Sequence, residues 1–156
     1  MKTNAWLTEG NYKQWIRNGL LCEIRRAKES GQLNGYVGLH KKHPLIGLTY
    51  EELYKKIPDL YVHGGLTFST KFPENTLFPK LQKPWRPNQM TWTYGFDCAH
   101  LGDYCPELDK TLTKVMGTTK HSMSQDINTY RNMDYVRNQV NNLCDILANY
   151  ERKLNV

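Results

Sequence analysis

No apolar run in the chain approaches the roughly 20 residues needed to cross a bilayer, and its opening stretch, MKTNAWLTEG, has no signal-peptide apolar core. No membrane partner is therefore expected, and a cytoplasmic protein is. Cysteine is scarce: Cys22, Cys98, Cys105 and Cys144 are the only four, at irregular spacings. Without an export signal they read most simply as free thiols rather than a disulfide framework. There is no P-loop, no dinucleotide-binding fingerprint and no serine or cysteine in a nucleophile elbow. Zinc-finger spacings, a basic leucine zipper and a clear helix-turn-helix are also missing, which removes the usual DNA-reading modules. Neither an internal repeat nor a low-complexity linker interrupts the chain, so residues 1–156 read as a single domain.

What is present is an aromatic, basic chain. Its 156 residues include ten Tyr and four Trp, and its formal charge is +6. A domain of this length can bury roughly two-thirds of its unfolded surface and needs no metal or disulfide staple to fold. The charge favours anionic partners, but lysine and arginine are scattered. The densest cluster is the short run His40-Lys41-Lys42-His43, which reads as a charged turn or a phosphate contact.

The local patterns predict an α+β domain: an antiparallel sheet of about four strands packed on a long C-terminal helix, with short N-terminal helices. Residues 11–18 are expected as a short helix with Trp15 and Ile16 inward. Residues 20–26 alternate Leu20, Cys22 and Ile24 against Leu21, Glu23 and Arg25, as a strand does. A turn at 28–31 then returns the chain as a strand over 32–40, where Gly35 and Gly38 admit a close neighbour. Thr49 with Glu52 three residues on is a capping box that starts a helix ending before Pro58. Strands are expected over 61–70 and 89–100. Between them residues 71–88, with Pro73, Pro79, Pro84 and Pro87, suit only a long loop. Over 125–154 nothing breaks a helix, and Met133, Val136, Val140, Leu143, Leu147, Tyr150 and Leu154 recur at spacings of three and four. That stripe suits packing on the chain's own sheet better than a two-chain coiled coil, although a homo-oligomer stays open.

Chemistry-bearing residues gather in two segments, 61–69 and 91–104. If alternate residues of each strand share a face, a polar face would carry His63, Thr67, Ser69, Thr91, Thr93, Asp97, Glu23 and Arg25 beneath the proline-rich loop. That face reads equally as a ligand platform or as an ordinary solvated one. His63-Gly64-Gly65 would let backbone amides approach an anion, or would mark a bulge. The run from Asp97 to Cys105 puts two carboxylates, a histidine and two thiols within nine residues. Cys98, His100 and Cys105 offer zinc ligands, with Asp97, Asp103 or His63 as a fourth. Cys-x-His-x4-Cys is not a standard zinc spacing, so no metal and no cofactor are assigned. A hydrolase is also conceivable, with His63 as general base, Asp97 orienting it, and Asp103 or His100 assisting the leaving group. Tyr36, Tyr61, Trp85, Trp92 and Tyr94 are candidates for stacking on a base, Trp92 and Tyr94 being better suited to a core.

Several stretches together resemble a known family. They are Cys22-Glu23-Ile24-Arg25-Arg26, Gly31-Gln32-Leu33-Asn34-Gly35-Tyr36-Val37-Gly38, His43-Pro44-Leu45, Val62-His63-Gly64-Gly65-Leu66-Thr67-Phe68 and Gly95-Phe96-Asp97-Cys98-Ala99-His100-Leu101-Gly102-Asp103. Tyr130-Arg131 and Asp134-Tyr135-Val136 complete the set. The set is similar to a family of small uncharacterised proteins of bacteriophages, prophages and bacteria, over residues 21 to 147. The chain departs from it at Trp92-Thr93-Tyr94 and in a longer segment after Cys105. The resemblance implies a phage or prophage origin, where small basic proteins often act as counter-defence factors.

The resulting expectation is a binding protein for an anionic, nucleotide-like small molecule, one that could sequester a nucleotide immune signal. Its ligand-binding residues would be His63, Gly64, Gly65, Thr67, Asp97, His100, Asp103, Arg25 and Tyr36. A metal-dependent hydrolase of phosphoesters or nucleotides is one alternative. An inhibitor that binds a host defence protein is the other.

Overall fold

The structure, a computed structural model, describes residues 4–71, 90–117 and 125–155. The proline-rich segment and Trp85 lie outside these residues. Among the described residues, five antiparallel strands form one sheet in the order β1-β2-β3-β5-β4. They are β1 (Tyr12–Arg17), β2 (Leu20–Arg26), β3 (Leu33–His40), β4 (Phe68–Lys71) and β5 (Met90–Asp97). A 3-10 turn, Ala5–Leu7, precedes them. Helix α1 (Tyr50–Lys56) joins β3 towards β4, while α2 (Pro106–Met116) and α3 (Met133–Leu154) follow β5. The α+β class is as expected, with one strand more. Among the described residues no helix is long and apolar enough to cross a membrane.

The extra strand is β1, in place of the short helix expected from the sequence. Asn18-Gly19 explains it. Both residues have left-handed φ, 52° and 77°, and they sit between the paired residues Arg17 and Leu20. This is the two-residue hairpin turn whose twist matches that of its strands, and Asn-Gly is its strongest sequence signal. Trp15 and Ile16 consequently point to opposite faces. The Trp15 indole donates to Asn141 Oδ1 on α3 (2.9 Å), whereas Ile16 is exposed.

The other elements follow their local chemistry. At the start of α1 both halves of the capping box form: the Glu52 amide donates to Thr49 Oγ1, and the Glu52 carboxylate accepts from the Thr49 amide. Helix α2, which no sequence expectation covered, has Pro106 in its first turn and ends at Gly117 in the left-handed conformation. Helix α3 begins at Met133, where its apolar stripe begins and eight residues after the start of the break-free stretch 125–154, with the Asn132 side chain capping it by accepting from the Tyr135 amide.

The core lies between α3 and one face of the sheet. Leu20, Cys22 and Ile24 of β2, Val37 and Leu39 of β3, and Tyr94 and Phe96 of β5 meet Val136, Val140, Leu143 and Leu147 of α3. Burying each of the large side chains is worth ~1.5–3 kcal/mol. The α3 stripe from Met133 to Leu147 is thus spent on the chain's own core, while Leu154 at its end is exposed. Gly35 permits the close approach, since a Cβ there would come within 2.5 Å of both Val140 and Phe96.

The opposite face is not the solvated platform that alternation suggested. Leu21, Glu23 and Thr93 on it are almost wholly inaccessible. Ser69 pairs with Tyr94 and so belongs to the helix side, where its hydroxyl accepts from the Tyr50 amide. His63 is not on the sheet at all. The expected strand over 61–70 shrinks to Phe68–Lys71, because Gly64 (φ 66°) and Gly65 (φ 80°) break the extended backbone and shift the parity of the residues after them.

Candidate functional site

Three pieces of chain meet at the end of β5: the turn at 62–65, the loop 97–104, and the start of α3. The turn closes through a hydrogen bond from the Gly65 amide to the Val62 carbonyl (2.8 Å). The positive φ of Gly64 falls at the third turn position, where glycine is favoured. Neighbouring elements hold the turn in place. The His63 amide donates to Gln139 Oε1 on α3 (2.8 Å), and the Leu66 amide donates to the Tyr54 hydroxyl on α1 (2.8 Å). The amides of His63, Gly65, Leu66 and Thr67 are all engaged, and the two glycines shape the turn.

Asp103 is the hub. Its side chain is 1 % exposed, and three groups surround it. His63 Nε2 lies 2.8 Å from Oδ2 and 3.0 Å from Oδ1, Arg131 Nε donates to Oδ1 (2.9 Å), and the His100 amide donates to Oδ2 (3.0 Å). Burial by itself would raise this carboxyl's pKa. The hydrogen bonds from His63, Arg131 and the His100 amide outweigh it and hold the pKa below the ordinary value. Arg131 reaches Asp103 because the loop is stitched to the segment before α3: the Tyr104 amide donates to the Thr129 carbonyl and the Thr129 amide to the Gly102 carbonyl (both 2.8 Å). On its other side His63 Nδ1 sits 2.7 Å from the Tyr135 hydroxyl, and the Arg131 guanidinium lies over the Tyr135 ring at 5.0 Å.

His100 and Asp97 form the outer part of the cluster. Asp97 Oδ2 accepts from the Thr67 hydroxyl and Oδ1 from the Ala99 amide (3.0 Å each). The His100 ring lies flat against Gly64: a Cβ on Gly64 would stand 2.3 Å from His100 Cε1. His100 Nδ1 is 3.5 Å from Asp97 Oδ1 and 3.7 Å from Asp103 Oδ2, and the His63 and His100 rings are 5.8 Å apart.

Seven of the nine sequence-derived binding residues therefore converge: His63, Gly64, Gly65, Thr67, Asp97, His100 and Asp103. Arg25 and Tyr36 do not join them. They lie on the buried sheet face with Glu23, where Arg25 Nε is 3.3 Å from Glu23 Oε1 and Tyr36 packs edge-on against Phe68. The carboxylate that orients His63 is Asp103, not Asp97. Cys98 and Cys105 are buried apart from the imidazoles, and the Cys105 thiol faces the Cys98 carbonyl. Burial, with Asp103 and Asp97 nearby, pushes the Cys105 thiol up to about 11 and raises Cys98 as well. The cysteine-based zinc set is therefore not assembled. In the His40–His43 run, Lys41 and Lys42 form an exposed turn, while His43 is a buried internal anchor whose Nε2 is 3.1 Å from the Leu147 carbonyl.

Arg131, Tyr135 and Gln139 were absent from the expected site. Tyr135 and Gln139, four apart within α3, share one helix face, a signal the sequence does carry, whereas Arg131 precedes the helix and is placed by the loop contacts instead. A separate pocket of about 470 Å³ is lined by Trp6, Arg26, Lys28 and Glu107 among others. Its Arg26 is already committed to Asn11, Gly31, Tyr130 and Gly10. Comparison with protein-family models, curated proteins and solved structures gives no match, so function is argued from the site itself.

Proposed function

We propose that the protein binds and sequesters an anionic, phosphate-bearing small molecule of the nucleotide class at the surface formed by Arg131, His100, Asp97 and Thr67. The observation that carries this reading is the state of Arg131. Its Nε is pinned to the buried Asp103, and its terminal nitrogens make no hydrogen bond among the described residues. With its side chain 27 % exposed beside a His100 that is 32 % exposed, the guanidinium offers a fixed fork of donors to a phosphate.

Two further features suit a nucleotide. Tyr61 is 69 % exposed while its carbonyl accepts from Asn142 Nδ2 (2.9 Å), which leaves an aromatic face held by its backbone. Stacking a base on such a face is worth ~1–3 kcal/mol. Asp97 can accept from a ribose hydroxyl or a base amine. In the phage setting implied by the sequence resemblance, trapping a nucleotide signal is the role such binding would serve.

Calorimetric titration with nucleoside mono-, di- and triphosphates and cyclic dinucleotides tests the reading. At least one should bind, and Arg131→Ala should weaken it by tenfold or more, about 1.4 kcal/mol. Tyr61→Ala, which leaves Asp103 untouched, should weaken it by a similar factor. Binding by none of them, or binding indifferent to both substitutions, would refute the proposal. Turnover is a second reading, favoured by the convergence of two imidazoles and two carboxylates. Release of inorganic phosphate during the titration would replace sequestration with hydrolysis.

A further inference from the structure

We infer that His63, His100 and Asp103, with Asp97 at the rim, form a binding site for a divalent transition-metal ion such as Zn²⁺ or Mn²⁺. The inference goes beyond nucleotide binding and does not depend on it. One donor atom from each of His63, His100 and Asp103 lies within 4.8 Å of the others.

The donors are set as a cation requires. His63 Nε2 donates to Asp103, 2.8 Å from Oδ2, and the Tyr135 hydroxyl lies 2.7 Å from Nδ1. That hydroxyl can accept a hydrogen bond from Nδ1–H in the other tautomer, which frees Nε2 to coordinate a cation that takes the place of its proton. Arg131 donates to Oδ1 and the His100 amide to Oδ2, which fixes the carboxylate with Oδ2 towards both imidazoles. Such partners behind the ligands are the usual means of fixing their orientation.

His100 gives an independent indication. Its Nδ1 is shielded from solvent and has no hydrogen-bond partner. It faces Asp97 Oδ1 at 3.5 Å and Asp103 Oδ2 at 3.7 Å, too far for hydrogen bonds. With metal–donor bonds of about 2.1 Å, the separations from Asp103 Oδ2 to His63 Nε2 (2.8 Å) and to His100 Nδ1 (3.7 Å) subtend roughly 84° and 124° at a common ion. Two imidazoles with carboxylates suit zinc, manganese or iron(II) rather than magnesium or calcium, which prefer all-oxygen sites. The buried thiols of Cys98 and Cys105 lie outside the set.

The test uses metal alone. Protein stripped with a chelator and dialysed is titrated with Zn²⁺ by calorimetry and, in parallel, with Co²⁺ by visible absorbance. One equivalent of Zn²⁺ should bind with submicromolar Kd, Co²⁺ should give the d–d bands of a nitrogen–oxygen site, and Mg²⁺ should not compete. His100→Ala should weaken Zn²⁺ at least 100-fold while keeping the native far-UV circular dichroism. His100→Gln provides a second variant should the alanine form unfold. Cys98→Ser with Cys105→Ser should leave the affinity unchanged. The inference is overturned by absence of saturable binding, by binding that survives both His100 substitutions, or by binding lost with the cysteines. Because no nucleotide is present, metal binding and nucleotide binding succeed or fail separately.

Discussion

Replacing Gly64 and Gly65 by alanine, one at a time, separates backbone strain from the geometry of the cluster. Both residues have left-handed φ, 66° and 80°, so each substitution forces a Cβ into a conformation costing an L-residue ~1–2 kcal/mol. For a chain of this length that lowers Tm by roughly 2–8 °C. At Gly65 little more should happen, because the nearest atom to the new Cβ is the Tyr54 hydroxyl at 3.4 Å. At Gly64 the Cβ would stand 2.3, 2.4 and 2.7 Å from three atoms of the His100 ring. No side chain tolerates such contacts, so the imidazole must leave Gly64 and with it the neighbourhood of Asp97 and Asp103. Gly64→Ala should therefore lose ligand and metal affinity by tenfold or more, while Gly65→Ala keeps both. Thermal melts give the strain, and calorimetry with Zn²⁺ and the tightest-binding nucleotide gives the affinity. Equal affinities in the two variants would refute the placement of His100.

Two other regions yield predictions. Glu23 is fully buried, with the Tyr12 hydroxyl donating to Oε2 (3.0 Å), and burial, outweighing Arg25, raises its carboxyl to about 8. The unfolded chain releases that proton near pH 4.3, so between there and about pH 8 the native state holds more protons and stability falls as pH rises, by up to ~5 kcal/mol. Glu23→Gln should flatten this slope in urea titrations at pH 5, 6.5 and 8; an unchanged slope would show that Glu23 is ionised in the native state. Cys98 and Cys105, buried and held protonated, should resist iodoacetamide in the native protein and react only in denaturant. Fast alkylation of either in the native protein would contradict their burial.

Local signals carry most of the fold. The Thr49–Glu52 capping box, the alternation through Leu20–Arg26 and the stripe along α3 depend on neighbours within a turn or two, and each appears where its pattern lies. Expectation and structure part where a stronger local signal overrides the apolar pattern. Asn18-Gly19 makes β1 a hairpin strand, and Gly64-Gly65 ends the extended reading of a β-branched, aromatic stretch. The site is legible for a similar reason: Asp97, His100 and Asp103 are close in sequence. The roles within it are not. Asp103 joins His63 from 40 residues away and Arg131 from 28, while Tyr135 joins His63 from 72. No short-range pattern encodes those partners; they depend on where α3 lies on the sheet.

Nuclear magnetic resonance of the histidine and arginine side chains, recorded while AMP is titrated into the protein, most directly locates the binding surface. Perturbation first at Arg131 Nε, His100 and the Tyr61 ring, with His63 responding next through Asp103, is the predicted result. Perturbation confined to the pocket of Trp6, Arg26 and Lys28, with the His63–His100–Asp103 cluster silent, would contradict it.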